Sequence, residues 1–239
     1  MIGWRARIGS IQPSRGDTFA YEFYKVVPEG VVLVMTATNI KELTKSELER
    51  ALTEYEQAGR ILATEEVDFI VIGGSPVIAL KGEQADKEIA ERIQAVTNIP
   101  AIHDLTAVIN AFHKLNIKKI VVATPYRDAV NARHKQFLES NGFEVLNIKG
   151  LQIERNVEIA KTPPYAAYRL AKEAFREAPE AEGIYISCGR WQTLSFIEAL
   201  EQDVKVPVIS NSSAKIWAAF SYLGIGQVKP GFGQLMRTL

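Results

Sequence analysis

The chain's single cysteine, Cys188, ends the apolar run Ile184-Tyr185-Ile186-Ser187-Cys188-Gly189, which reads as a buried strand entering a turn. A helix is expected to begin just beyond it, near Arg190 or Trp191. At a helix N-terminus the unpaired N–H groups and the dipole favour a thiolate, so a lowered pKa is expected and the sulfur becomes a usable acid or base. Gly189 lets the backbone approach a ligand closely. The competing reading is a small buried hydrophobe, which is what most free cysteines are.

Gly73-Gly74-Ser75-Pro76 repeats that layout after another apolar run. Two glycines free the backbone, the serine offers a hydroxyl, and proline suits the first turn of a following helix. Such a loop can surround a carboxylate with N–H and O–H donors, although a plain strand-to-helix connection has the same composition. Tyr126, in Thr124-Pro125-Tyr126-Arg127-Asp128, also ends a strand, and its phenol could donate to a carboxylate or enediolate oxygen. Its counterpart Ser14, beside Pro13 in Gln12-Pro13-Ser14-Arg15-Gly16-Asp17, either reaches the same cleft or caps the next segment.

Other chemistries find less support. His103 and Asp104 follow a strand and so admit a histidine-based mechanism. His113 and His134 fall in helical stretches among lysines and arginines and are expected on a solvated face, and no two histidines have metal-ligand spacing. The glycine loops lack the third glycine of a dinucleotide fingerprint and the Gly-Lys-Ser/Thr ending of a P-loop, so no nucleotide, metal or other cofactor is expected. Lysine plus arginine equal aspartate plus glutamate at 28 each, which leaves no net field to hold nucleic acid or an anionic membrane. One cysteine cannot form an internal disulfide, and a reducing, cytoplasmic setting is expected because neither a signal sequence nor a run of about 18 apolar residues is found.

The elements that must position these residues alternate between short β-branched runs and longer stretches of helical period, the pattern of βα units on parallel sheets. Eight strands are predicted: Arg7–Ile11, Val31–Met35, Val67–Ile72, Ala101–Ile102, Lys119–Ala123, Glu144–Ile148, Gly183–Ile186 and Pro207–Ile209. The clearest amphipathic helices are Lys45–Ala63, Asp86–Val96, Ala129–Asn141 and Ala166–Arg176. The two halves of the chain also resemble each other. Ile99-Pro100-Ala101-Ile102-His103-Asp104-Leu105-Thr106-Ala107 is echoed by Val206-Pro207-Val208-Ile209-Ser210-Asn211-Ser212-Ser213-Ala214. Extending the register sets Val71–Ser75 opposite Ile184–Cys188 and Ile8–Ser14 opposite Ile120–Tyr126. The economical reading is a duplicated unit in an α/β fold of two pseudo-symmetric, flavodoxin-like half-domains, each a four-stranded parallel sheet flanked by helices. Residues 1–115 with 215–239 are expected to form the first half and 116–214 the second. The C-terminal sheet edges would then meet, with Ser75 facing Cys188 across a cleft.

At this point the residues resemble the aspartate/glutamate racemase superfamily, in its branch of arylmalonate decarboxylases and maleate isomerases. The likeness runs nearly the full chain. It is carried by Ile8–Pro13, Gly73-Gly74-Ser75, Val122–Asn131, Ser187-Cys188-Gly189, Val206–Ser210 and Lys229-Pro230-Gly231-Phe232-Gly233, with Ala-Thr-x-Tyr-x-Asp-x-Val-Asn and Ser-Cys-Gly the most specific. In that family racemases and maleate isomerases use one cysteine from each half. Here the first position reads as Ser75, a hydroxyl expected to have no base beside it, so two-cysteine chemistry is expected to be disabled. The resemblance therefore implies a cofactor-free decarboxylase working with Cys188 alone. One carboxylate of a substituted malonate would lie among donors from Gly74, Ser75, Tyr126 and Gly189, with Pro13 and Ser14 nearby. Arg190 and Pro76 would shape specificity, Arg190 by pairing a further carboxylate. The alternatives are racemisation or cis–trans isomerisation of a small acid, or a non-catalytic acid-binding module. The expected partner is a small carboxylic acid, for a monomer or small homo-oligomer.

Overall fold

The computed structural model describes residues 2–13, 17–38, 45–75, 78, 84–226 and 228–239, the side chains of 45–52 and 156 excepted. In chain order the elements are β1 (Ala6–Gln12), α1 (Asp17–Val26), β2 (Val31–Ala37), α2 (Lys45–Thr64), β3 (Phe69–Ile72), α3 (Ala85–Thr97), β4 (Ala101–His103), α4 (Asp104–Lys114) and β5 (Lys119–Thr124). They continue as α5 (Asp128–Ser140), β6 (Glu144–Gly150), α6 (Asn156–Lys161), α7 (Pro164–Glu177), β7 (Gly183–Ile186), α8 (Ile197–Val204), β8 (Val208–Ser210), α9 (Asn211–Leu223) and α10 (Gly233–Met236). All eight predicted strands form. They make two parallel four-stranded sheets in the orders β2-β1-β3-β4 and β6-β5-β7-β8. The central strands β3 and β7 are buried along their whole length, which is why they read as unbroken apolar runs without alternation.

The two sheets share one plan, and their ladders give the internal register directly. Ile11 pairs with Ile72 and Ile72 with His103; in the second sheet Ala123 pairs with Ile186 and Ile186 with Ser210. The matches of Ile8 with Ile120 and of His103 with Ser210 hold as the sequence suggested. The match of β3 to β7 is corrected by one residue: Gly73 corresponds to Ser187 and Gly74, not Ser75, to Cys188. Gly73 N–H donates to Ile11 C=O at 2.8 Å as Ser187 N–H donates to Ala123 C=O at 2.9 Å. A string of apolar residues tolerates a slip of one, whereas a hydrogen-bond ladder does not.

The helices that follow the fourth strand of each sheet, α4 and α9, pack against each other and join the halves. Every residue of α9 from Asn211 to Phe220 is buried, as befits a helix enclosed on all sides. From α4, Phe112 reaches into the second half, its ring 5.5 Å from Phe143 and 6.3 Å from Tyr185. Phe112→Ala would remove that contact from a fully buried position, and a loss of about 3–5 kcal/mol in unfolding free energy is expected from chemical denaturation.

His134 departs from expectation. Instead of facing solvent it is fully buried on α5, stacked at 5.6 Å on Tyr185, with Nε2 3.1 Å from Ser187 Oγ. Its helix turns one face onto β7, and charged neighbours in sequence did not reveal which face. Burial pushes its pKa down to about 4. Between that value and the ordinary one near 6.5 the unfolded chain binds the extra proton, so this group costs stability as pH falls through that window. His134→Phe should therefore gain stability relative to the parent chain as pH is lowered from 6.5 to 4 in paired melting curves; parallel curves would contradict this.

Candidate active site

Cys188 follows β7 and is nearly buried, with a backbone φ of +107° that side-chain-bearing residues rarely adopt. Its counterpart Gly74 has the same kind of conformation, φ +130°, without the steric cost. Such an outlier persists only where the surroundings over-determine it. Here the Cys188 N–H donates to Asn211 Oδ1 at 2.9 Å, and the Cys188 C=O accepts from Trp191 N–H at 3.1 Å.

Residues 189–196 form turns, and the next helix, α8, begins only at Ile197, not near Arg190 or Trp191. The expected helix-dipole effect on the thiol is therefore absent. The turns are held instead by Glu22 of α1, which accepts from the N–H groups of Thr193 and Leu194. Burial raises the thiol pKa; the Arg190 N–H, the Tyr126 hydroxyl and the Arg190 charge act the other way without overcoming it. The expected lowering is thus reversed, and the sulfur is a neutral S–H at neutral pH.

Ser75 does not confront the thiol directly. Its hydroxyl donates to Asp104 Oδ1 at 3.0 Å and accepts from Asn211 Nδ2 at 2.8 Å. The serine expected to lack a base therefore has a carboxylate beside it. Asp104 and Asn211 are equivalent residues, the first of α4 and of α9, so the chain Asp104–Ser75–Asn211–Cys188 crosses from one half to the other. Tyr185 adds a 3.0 Å bond from its hydroxyl to Asn211 Oδ1.

Tyr126 lies at the thiol: its hydroxyl donates to Cys188, and burial keeps the phenol neutral and a donor. The local fold explains its placement, since the Tyr126 N–H donates to Thr124 Oγ1 at 3.0 Å and Thr124 Oγ1 donates to Asn131 Oδ1 at 2.6 Å. Those contacts account for the Thr-x-Tyr and Asn spacing of that segment. Arg190 also lies beside the thiol and is fixed through its C=O, which accepts from Thr18 Oγ1 at 3.2 Å. Pro13 lies near Gly74, its Cβ 4.0 Å from where a Cβ on that glycine would stand. That same Cβ would come within 2.4 Å of Tyr55 Oη, so position 74 has no room for a side chain while Tyr55 donates to Gly73 C=O at 2.7 Å. Ser14 and Pro76 lie outside the described residues.

His103 is buried at the start of α4, where Nδ1 accepts from Leu105 N–H at 3.2 Å. An accepting Nδ1 carries no proton, so its 3.3 Å approach to Asp104 is not an ion pair, and burial lowers its pKa in agreement. Its role is that of a neutral cap. Among the described residues no cluster of His, Cys, Asp and Glu could hold a metal ion, and no helix is long and apolar enough to cross a membrane.

Three groups at this site were not singled out from the sequence: Asn211, Glu22 and Lys215. Lys215 offered a signal, one charge inside the apolar stretch Ala214-Lys215-Ile216-Trp217-Ala218-Ala219-Phe220. It is fully buried, with Nζ 3.8 Å above the Phe19 ring, and burial lowers its pKa to about 8. Glu22 is also buried and its pKa raised by that burial. Asn211 and Glu22 gave no comparable signal, since asparagine and glutamate at helix surfaces are ordinary.

Similarity to known proteins agrees with this geometry. The chain is 25% identical to arylmalonate decarboxylase of Bordetella bronchiseptica over 229 residues, 95% of each chain. It is 23% identical to maleate isomerase of Pseudomonas putida KT2440 over 96% of each. The crystal structure of maleate isomerase Iso from Pseudomonas putida S16 superposes with a TM-score of 0.89 at 25% identity, covering 97% of this chain and 98% of that one. A crystal structure of arylmalonate decarboxylase superposes with a TM-score of 0.86 at 24% identity, covering 98% and 100%. The sequence model of the arylmalonate decarboxylase family matches residues 8–236, nearly the whole chain, and the protein belongs to that family.

Proposed function

We propose that the chain is a cofactor-independent decarboxylase of a substituted malonate-type acid, with Cys188 as its proton donor. The observation that carries this reading is the state and setting of the sole thiol. It is held neutral by burial, it receives a hydrogen bond from Tyr126, and its counterpart in the other half is Gly74, which has no side chain to act as a second acid or base. One carboxylate of the substrate is held by the backbone at Gly74 and Gly189 and by the Tyr126 hydroxyl, whose single proton turns from the sulfur to the carboxylate when substrate binds. The Ser75 hydroxyl, committed to Asp104, fixes the loop. The other carboxylate leaves as CO₂, and the electron pair of the broken C–C bond passes into an enediolate whose growing charge those donors meet. The S–H then gives its proton to the α-carbon, leaving a thiolate that solvent re-protonates. A single donor on one face yields a chiral acid.

Racemisation or cis–trans isomerisation of a small acid is the second reading. It draws support from the superposition on maleate isomerase and from the carboxylate beside Ser75, which gives that hydroxyl a base. The two are separated by incubating the protein with aryl- and alkylmalonates while following CO₂ release, and with maleate while following its absorbance. Decarboxylation that falls by about 100-fold or more in Cys188→Ala is expected. Loss of maleate without CO₂ would replace the decarboxylase reading by the isomerase one. Binding of acids by both proteins without any turnover would favour a binding module.

The neutral thiol is checked independently by ultraviolet thiolate absorbance, with Cys188→Ser as the blank. The transition should fall above the ordinary cysteine value of about 8.5. A thiolate already formed at neutral pH would count against Cys188 as an acid.

A further inference from the structure

Lys215 has no part in the scheme above, yet its ammonium faces Gly189, the residue after the thiol. It projects from the first turns of α9, fully buried, and Nζ has no hydrogen-bond partner among the described residues. Its surroundings are the Phe19 face on α1, with the charges of Glu22 on α1, Asp104 on α4 and the Cys188 sulfur near enough to act on it. A buried ammonium with no hydrogen-bond acceptor among the described residues is costly unless something completes it.

Gly189 shows where that completion takes place. A Cβ built on Gly189 would meet Lys215 Nζ at 3.4 Å and, its chain neighbours Cys188 and Arg190 apart, no other described atom within 4 Å. Among the described residues beyond its chain neighbours, the missing side chain therefore leaves a space next to Cys188 that only the ammonium faces. Gly189 is not in the left-handed region, so backbone conformation does not require glycine there. An oxygen seated in that space lies within reach of Nζ.

We infer that Lys215 is the cationic anchor of the substrate's retained carboxylate, one oxygen of which occupies the space left by Gly189 and accepts a hydrogen bond from the ammonium beside Cys188. This rests on the reading of the cleft as a carboxylic-acid site, and it applies whether the reaction is decarboxylation or isomerisation. With the Ser75 hydroxyl turned to Asp104, the ammonium supplies the charged donor the anion needs. In a decarboxylation it faces the charge that develops on the enediolate. The ligand class is a carboxylate; a neutral amide of the same shape is excluded.

The test is calorimetric titration of the full chain with malonate and phenylacetate, and with phenylacetamide as the uncharged control. Lys215→Met keeps length and removes the charge; it should weaken carboxylate binding at least 10-fold while melting no lower than the parent, because an unpaired buried charge is lost. Gly189→Ala places a methyl in the proposed oxygen position and should weaken binding with the lysine intact, so the test survives should the methionine variant not fold. Phenylacetamide should bind the parent no better than phenylacetate binds Lys215→Met. Equal carboxylate affinity in the parent and either variant, or a parent that binds neither acid, would overturn the assignment; so would a methionine variant that melts lower with unchanged affinity. Lysine-dependent binding without CO₂ release would sink the decarboxylase reading alone, whereas decarboxylation undiminished in Lys215→Met would sink the lysine assignment alone.

Discussion

The side-chain amide of Asn211 holds the candidate site together. Its oxygen accepts from the Cys188 N–H and the Tyr185 hydroxyl, and its nitrogen donates to Ser75, which in turn donates to Asp104. One group thus fixes the unfavourable backbone of the cysteine and links it to the opposite half. In a dry interior each of these bonds is stronger than in water, and each would be expensive to leave unmade. The position of the sulfur is accordingly set by the packing of α9 on α4, the two helices whose first residues are Asn211 and Asp104.

Around that link the protein buries groups that would ordinarily be solvated. Glu22 fixes the turns after Cys188, His103 and His134 are held neutral, and Lys215 is kept beneath Gly189. Burial dominates every one of these ionisations, and it pushes the thiol the same way, toward its uncharged form. A buried S–H among oriented donors suits proton delivery to an anion better than nucleophilic attack, which requires the thiolate.

Duplication supplies the scaffold, and equivalent positions in the two halves carry different side chains. Gly74 and Cys188 occupy matching backbone conformations after β3 and β7, while Asp104 and Asn211 occupy matching helix starts. The two halves are therefore alike in backbone and unlike in function-bearing side chains. A thiol on one side and bare backbone on the other make the candidate site one-sided, and Tyr55, bonded to the Gly73 C=O, closes the second position to any side chain.

The sequence by itself determined the eight strands, the two parallel sheets and the family, and it singled out Cys188 and Tyr126, which lie in contact, because apolar periodicity and short motifs are local properties of the chain. Other features were decided only by the tertiary structure. Which residue faces Cys188 depended on a ladder register that apolar strings leave free by one position. The direction of the thiol's pKa shift depended on its burial and on the lack of a helix start beside it; the next helix begins only at Ile197, after turns held by Glu22 through bonds spanning 171 and 172 residues. The burial of His134 and Lys215, and the carboxylate beside Ser75, arise from contacts between segments far apart in sequence. Ionisation and hydrogen-bond partnership are properties of three-dimensional surroundings, so no reading of residue order alone could supply them.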